Sequence, residues 1–278
     1  MEGAKGCEGT SGVTRNPVTR LGQAIKSRLS APQLTWARRR LVEPMRSFFA
    51  GHDLSRLALI YGSDKWGEHW YTQHYEHHFG PLRRKRITLL EIGIGGYSNP
   101  YRGGGSLRMW RKYFPHGRIY GVDIHDKRSH NGRRIRTFQG DQNDEMFLRR
   151  IIDQIGKADV VIDDGSHVNS HVIKTFQILF PLLAEDGIYV VEDTQTAYDP
   201  NYGGNSEDLN SALTTMGMLK RLVDGLNYQE LLRPGYLPSY FDQHVLSLHF
   251  YHNLVFVHKG ITTPNGGSAN AACCPPRR

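Results

Sequence analysis

The chain has 278 residues, a net charge of +8, and apolar and charged fractions of 38% and 22%, as expected of a soluble globular protein with polar extensions. Its sequence contains neither the ~20-residue apolar run of a bilayer-spanning helix nor the apolar stretch of a secretory signal. The three cysteines, Cys7, Cys273 and Cys274, lie near the two ends, which excludes a disulfide framework within the domain. We therefore expect a cytoplasmic protein.

The positive charge is concentrated in the N-terminal part of the sequence. Residues 1–50 contain nine Lys and Arg and three acidic residues, a local excess of +6, so the rest of the chain carries little net charge. This distribution does not predict a nucleic-acid-binding body. We interpret residues 1–52 as a basic, partly disordered arm, residues 53–260 as the folded domain, and residues 261–278 as a disordered tail.

Apolar runs and helical periodicity alternate between these extensions. The pattern predicts five strands at Ile87–Ile94, Arg118–Ile124, Arg134–Asp141, Ala158–Asp164 and Gly187–Asp193. It predicts helices at Ser106–Phe114, Glu145–Ile155, around residues 172–183, and at Leu209–Leu226, followed by two strands around a turn at His252-Asn253. The predicted fold class is α/β: a doubly wound, mostly parallel Rossmann-like sheet with a C-terminal antiparallel hairpin.

Glycines follow the first predicted strand, where open α/β sheets bind their ligands. Glu91 precedes a turn that contains Gly93 and Gly95, which let the backbone approach a ligand closely. Ser106 opens the next helix, whose N-terminus suits an anion such as a carboxylate. The insertion 97–102 separates the glycine turn from that helix, which disfavours a dinucleotide site for NAD.

The next two strand ends supply further polar groups to the same edge. Asp123 ends the second strand, where a carboxylate can accept hydrogen bonds from both hydroxyls of a ribose. Asp141 and Gln142 end the third strand and are placed to contact an adenine edge. Acids at successive strand ends are more specific than a glycine turn alone and indicate a nucleoside ligand.

Four carboxylates end the fourth and fifth strands: Asp163, Asp164, Glu192 and Asp193. Adjacent parallel strands would bring them to one rim, where like charges repel and raise one another's pKa. A hard cation would relieve this repulsion, and oxygen ligands favour Mg²⁺, with Mn²⁺ or Ca²⁺ as alternatives.

A histidine follows the fourth strand across a Gly-Ser turn. His167 lies three residues beyond Asp164, so it would stand beside the metal with an ordinary pKa suited to a general base. His171, four residues later, could form a zinc pair with it. The glutamate of the metalloprotease pattern is missing after His167, so we rank zinc below the general base.

These motifs resemble one family closely. The segments EIGIGGY, GGGSLRMWRKYFP, IYGVDIHDK, FQGDQND, VIDDGSHVNSHV and YVVEDTQTAY, with YGSDKWGEHWYTQHYEHHF upstream, resemble the metal-dependent sugar O-methyltransferases of macrolide biosynthesis, of the mycinamicin 2''-O-methyltransferase type. The resemblance spans Leu54 to Lys259. It implies His167 as the base and Mg²⁺ ligation by Asp164, Glu192 and Asp193. It implies contacts with S-adenosylmethionine (SAM) from Glu91, Asp123, Asp141, Gln142 and Asp163.

The resemblance predicts a SAM-dependent enzyme that methylates a hydroxyl of a sugar residue in a glycoside. Lys65, in an aromatic segment that would fold over the cofactor, is expected to meet the methionine carboxylate of SAM. The resembled macrolide enzyme has an N-terminal domain where this chain has its basic arm, so mannosides and oligosaccharides are as open as macrolides. Family members are oligomers, which predicts a homo-oligomer. The alternatives are a catechol-type methyltransferase, an NAD-dependent oxidoreductase and an RNA-binding protein.

Overall fold

Seven strands form one mixed sheet in the computed structural model, which describes residues 37–261 together with Ser30 and Gln33. The strands are β1 (Thr88–Ile92), β2 (Arg118–Asp123), β3 (Ile135–Gln139), β4 (Ala158–Asp163), β5 (Leu183–Glu192), β6 (Val245–Tyr251) and β7 (Leu254–Lys259). Their spatial order is β3-β2-β1-β4-β5-β7-β6; β1 to β5 run parallel, and β7 lies antiparallel to both of its neighbours. The predicted fold class is therefore confirmed, including the C-terminal hairpin.

Helices cover both faces of this sheet. From residue 43 onward the α-helices are α1 (Glu43–Ala50), α2 (Leu54–Tyr61), α3 (Thr72–Phe79), α4 (Gly105–Tyr113), α5 (Glu145–Ile155), α6 (Asn169–Leu179), α7 (Thr215–Gly225) and α8 (Tyr240–His244). The buried apolar side chains form two clusters, one shared with α2, α3 and α4 and the other with α5, α6 and α7. The strand pleat divides them: Leu89 belongs to the first cluster and Leu90 to the second. Glu91 follows on the face of the first cluster.

The direction of the chain connections reverses beside β1. This strand pairs with β2 on one side and with β4 on the other, which makes the space beyond its carboxyl end a topological switch point. The ends of β2, β4 and β5 lie at the same edge of the sheet. The fold therefore gathers the acidic strand ends that the sequence predicts.

One predicted helix is shorter than expected. The periodicity predicts a helix over Leu209–Leu226, whereas α7 begins at Thr215. The Thr214 side chain caps α7 by accepting from the backbone N–H of Gly217 at 3.0 Å. Leu209 and Leu213 are 50% and 77% exposed, so their apolar spacing does not mark a buried face.

The chain divides into two compact units, Met1–Arg46 and Ser47–Arg278, and the candidate site belongs to the second. Most of the predicted arm (1–52) and nearly all of the predicted tail (261–278) lie outside the described residues, so these domain boundaries stay predictions. Among the helices of residues 37–261, none has both the length and the apolar character needed to span a membrane.

Candidate active site

The glycine turn after β1 lies directly against the end of β4. Gly93 has φ +85°, and a Cβ atom there would lie 1.8 Å from the backbone oxygen of Asp164, so only glycine fits. Its N–H donates to the carbonyl of Val122 at 2.8 Å. Gly95 also has a positive φ, of +72°, but a Cβ there would meet no atom closer than 3.9 Å. The turn thus joins three strand ends through backbone contacts.

Glu91 lies beneath this turn and is fully buried. Ser106 Oγ, in the first turn of α4, donates to Glu91 Oε2 at 2.8 Å. Burial raises the pKa of Glu91 to about 7, although the nearby ammonium of Lys65 opposes the shift. The two predicted cofactor residues Glu91 and Ser106 are therefore brought together, with the serine oriented by the carboxylate.

Asp123 joins the end of β2 to the glycine turn. Its Oδ2 accepts from the N–H of Ile94 at 3.1 Å, and its Oδ1 accepts from the N–H of His125 at 2.8 Å. The side chain is half-buried at the edge of the sheet. Asp123 therefore borders the glycine turn, and its contact with a ribose stays a prediction.

Gln142 and Asp163 meet inside the protein. Gln142 Nε2 donates to Asp163 Oδ1 at 3.3 Å, and Gln142 Oε1 accepts from the N–H of Ser166 at 2.8 Å. Tyr189 donates its hydroxyl to Asp163 Oδ2 at 3.2 Å, and burial raises the pKa of Asp163 to about 7. Asp141 is exposed and accepts from the N–H of Asn143 at 2.8 Å. These contacts shape the loop after β4, while the predicted adenine contacts stay predictions.

A buried lysine stands at the centre of the acidic cluster. Lys65 Nζ lies 2.6 Å from Glu192 Oε1, 2.8 Å from Asp164 Oδ2 and 3.4 Å from Glu91 Oε1, and its side chain is fully buried. Burial opposes its charge, but these three carboxylates raise the pKa of Lys65 well above its ordinary value. In the structure Lys65 thus contacts the predicted metal ligands. Its contact with the methionine carboxylate of SAM stays a prediction.

Asp164, His167 and Asp193 come together at the ends of β4 and β5. One ligand atom from each lies within 4.8 Å of the other two, and His167 Nε2 is 3.8 Å from Asp193 Oδ2. His167 and Asp193 have φ values of +59° and +54°, in a left-handed region that residues other than glycine rarely adopt. Such backbone strain concentrates at functional sites. Two facing residues with this strain mark the acidic rim, the group of Asp164, His167 and Asp193 at these strand ends, as a candidate active site.

Glu192, the third predicted metal ligand, is more deeply buried than Asp164 and Asp193. It is 4% exposed, and its Oε1 accepts from Lys65 Nζ and from the Tyr75 hydroxyl. Burial, followed by the charge of Asp164, raises the pKa of Glu192 well above its ordinary value, and burial also raises the pKa of Asp164. Lys65 supplies one positive charge to these crowded carboxylates, which leaves them with an excess of negative charge. An oxygen-ligated dication fits this excess.

Two tyrosines that the sequence did not single out orient the carboxylates. Tyr71 donates its hydroxyl to Asp193 Oδ1 at 2.7 Å, and Tyr75, in α3, donates to Glu192. Their spacing of four residues places both hydroxyls on one side of the α3 segment. The aromatic content of residues 61–75 is the sequence signal that points to them.

His171 is not part of the acidic rim. Its Nδ1 lies 3.0 Å from Ser166 Oγ. Within residues 37–261, the metal-competent group at this edge contains His167 without His171. The arrangement disfavours the zinc pair that the i, i+4 spacing allowed.

The buried ion cluster predicts a large effect on stability. We expect Lys65→Met to lower the free energy of unfolding by about 3–5 kcal/mol in the absence of added metal, because it leaves buried carboxylates uncompensated. Lys127→Met is the matched control: Lys127 is 1% exposed and donates to the backbone carbonyls of Tyr97 and Asn99. Urea unfolding in EDTA measures both variants. A Lys65 variant no less stable than the Lys127 variant would contradict the ion-cluster assignment.

Comparison with known proteins identifies relatives of this chain. No protein-family model matches the chain. The mycinamicin VI 2''-O-methyltransferase of Micromonospora griseorubida is 49% identical over 216 residues, which are 77% of this chain and 54% of that protein. The 8-demethyl-8-alpha-L-rhamnosyl tetracenomycin-C 2'-O-methyltransferase of Streptomyces olivaceus is 51% identical over 215 residues, 77% of this chain and 56% of that protein. The chain spans about half the length of the curated relatives it matches.

A solved structure extends the match over nearly all of the chain. MycE methyltransferase from the mycinamycin biosynthetic pathway, in complex with Mg and SAH, is 41% identical, with a TM-score of 0.75. The match covers 95% of this chain and 67% of the MycE chain. By this identity and coverage, the chain belongs to the family of the mycinamicin and tetracenomycin sugar O-methyltransferases.

Proposed function

We propose that this chain is a SAM- and Mg²⁺-dependent O-methyltransferase that acts on a sugar hydroxyl of a glycoside. The observation that carries the proposal is the group of Asp164, His167 and Asp193, which faces the glycine turn at the switch point of the sheet. The MycE structure in complex with Mg, SAH and mycinamycin VI, which is 41% identical to this chain, supports the same chemistry.

The proposed cation site consists of Asp164, Glu192 and Asp193. Lys65 and Tyr75 engage Oε1 of Glu192, and Tyr71 engages Oδ1 of Asp193, which fixes the orientation of both carboxylates. Pre-oriented ligands of this kind bind a metal more tightly. When bound, Mg²⁺ would supply Lewis-acid stabilisation of the negative charge that develops on the acceptor oxygen.

His167 is the proposed general base. It takes the proton of the acceptor hydroxyl on a ring nitrogen while the oxygen bonds to the methyl carbon of SAM and the carbon–sulfur bond breaks. The carboxylate of Asp193, 3.8 Å from His167 Nε2, stabilises the positive charge that the ring gains. The half-buried position of both side chains limits the access of water.

The cofactor would lie across the first three strand ends and the loop after β4. Asp123 would accept from the ribose hydroxyls, and Gly93 and Gly95 keep the turn free of side chains. The proposed contacts of SAM with Lys65, Glu91, Ser106, Asp141, Gln142 and Asp163 complete this set. Glu91, Gln142 and Asp163 are buried, so they would also hold in place the strand ends that border the proposed cofactor position.

The test is a methyl-transfer assay with the full chain, methyl-labelled SAM and Mg²⁺. The acceptor panel includes glycosylated macrolides, rhamnosides, mannosides and catechols. We expect label on a sugar hydroxyl of at least one glycoside. Label on catechols with none on any glycoside would overturn the proposal in favour of a small-molecule catechol-type enzyme.

We also propose that the chain is a homo-oligomer and that it acts in the cytoplasm. Phe48 and Phe49 of α1 are 75% and 80% exposed, a degree of apolar exposure that supports a contact between copies. Light scattering coupled to size-exclusion chromatography tests the oligomer. Fractionation of producing cells tests the location.

A further inference from the structure

Three histidines converge on the edge of the sheet formed by the C-terminal hairpin. His249 lies on β6, His258 on β7 and His78 near the end of α3. One ring nitrogen of each lies within 4.8 Å of the other two. His258 pairs with Ile188, four residues before Glu192 along β5, so roughly 13 Å of strand separates this group from the acidic rim.

The His78 ring of this three-histidine group is held in a fixed orientation. His78 Nδ1 lies 3.0 Å from His258 Nε2, and His78 Nε2 lies 3.1 Å from the Tyr251 hydroxyl. The His78 ring also stacks on Phe256, with ring centroids 4.1 Å apart. A histidine ligand in a metal site has the same arrangement: one nitrogen faces the metal and the other bonds to a neighbouring group.

The distances suit an ion with short bonds to nitrogen. Zn²⁺ binds histidine at about 2.0–2.1 Å, so two nitrogens on one tetrahedral ion lie about 3.3 Å apart. The His78–His258 separation of 3.0 Å is close to that value. Burial lowers the pKa of His78 to about 3 and that of His258 to about 4, so both rings are neutral at pH 7, as metal ligation requires.

We propose that His78, His249 and His258 form a second metal site, which binds a divalent transition cation of the Zn²⁺ type. Neutral imidazole ligands favour Zn²⁺, Ni²⁺ or Cu²⁺ over Mg²⁺, and water completes the coordination. On binding, the hydrogen shared by His78 and His258 moves to the other nitrogen of its own ring, so no proton is released. The ion ties α3 to the hairpin, and α3 also carries Tyr75, the hydrogen-bond donor to Glu192.

The test is Zn²⁺ binding by the untagged full chain, with saturating Mg²⁺ present to occupy the acidic rim. Competition with a chromophoric chelator gives the affinity, and Co²⁺ absorption in the visible range reports the nitrogen ligands. We expect one equivalent of tightly bound Zn²⁺. His249→Ala should weaken it by more than about tenfold, because even the loss of a group that only orients a ligand costs that much.

Two controls separate this site from the other histidines and from the acidic rim. His116→Ala, at an exposed histidine outside the group, and Asp164→Asn should both keep the affinity of the unmodified chain. His249 is only half-buried, so its variant should fold, and circular dichroism checks this. Absence of tight Zn²⁺ binding, or unchanged binding by His249→Ala, would overturn the proposal. Zn²⁺ binding lost only in Asp164→Asn would do the same, and none of these results depends on methyl transfer.

Discussion

Replacing His167 with asparagine should lower kcat for methyl transfer by about 10²–10⁴-fold, the contribution of a positioned general base. Asparagine is a sharper test than alanine because His167 has φ +59°, and asparagine tolerates the left-handed backbone better. The substitution removes the ring that faces Asp193 and leaves the carboxylates in place. Initial rates at saturating SAM measure the effect.

His171→Asn is the matched control for this variant. His171 lies on α6, where its Nδ1 is 3.0 Å from Ser166 Oγ, away from the acidic rim. Both variants should bind SAM with the affinity of the unmodified chain by calorimetry, since neither contacts the first three strand ends. An inactive His171 variant beside an active His167 variant would show that the base has been assigned to the wrong histidine.

The sequence predicts the sheet well because its buried strands are continuous apolar runs between turn residues. The predicted strand Ala158–Asp164 agrees with β4 to within one residue, and the acids at the strand ends reach one edge because parallel strands share a direction. The start of α7 is where this reasoning fails. The apolar spacing of Leu209 and Leu213 imitates a helix, but the cap at Thr214 starts the helix later.

The centre of the site could not be predicted from local pattern. Lys65 lies in the loop between α2 and α3, and its ion pair with Asp164 joins residues 99 positions apart. The contact of His78 with His258 spans 180 positions. Hydrophobic periodicity reports which face of an element is buried, whereas such contacts depend on how loops return to the sheet. The sequence therefore indicates which strand ends carry acids, but only the fold shows that the ammonium group of Lys65 lies among them.

A chelator should abolish methyl transfer by this chain, and added Mg²⁺ should restore it. Lys65 supplies one positive charge to Glu91, Asp164 and Glu192, and Asp193 adds a further carboxylate beside them. Burial raises the pKa of both Asp164 and Glu192, so it disfavours the charged form of each carboxylate. A bound dication supplies the missing charge and holds the acceptor oxygens.

Asp164→Asn tests the same site without a chelator. The substitution keeps the size of the side chain and removes one ligand charge, so the Mg²⁺ concentration for half-maximal activity should rise by at least about tenfold. Asp126→Asn is the control, because Asp126 pairs with Arg128 at the surface, 2.7 Å away, and should keep the unmodified Mg²⁺ requirement. SAM should still bind the Asp164 variant, since most of its proposed contacts lie at or just after the ends of β1, β2 and β3. Full activity of the unmodified chain in excess EDTA would contradict the metal mechanism, and Asp164, Glu192 and Asp193 would then act by hydrogen bonding alone.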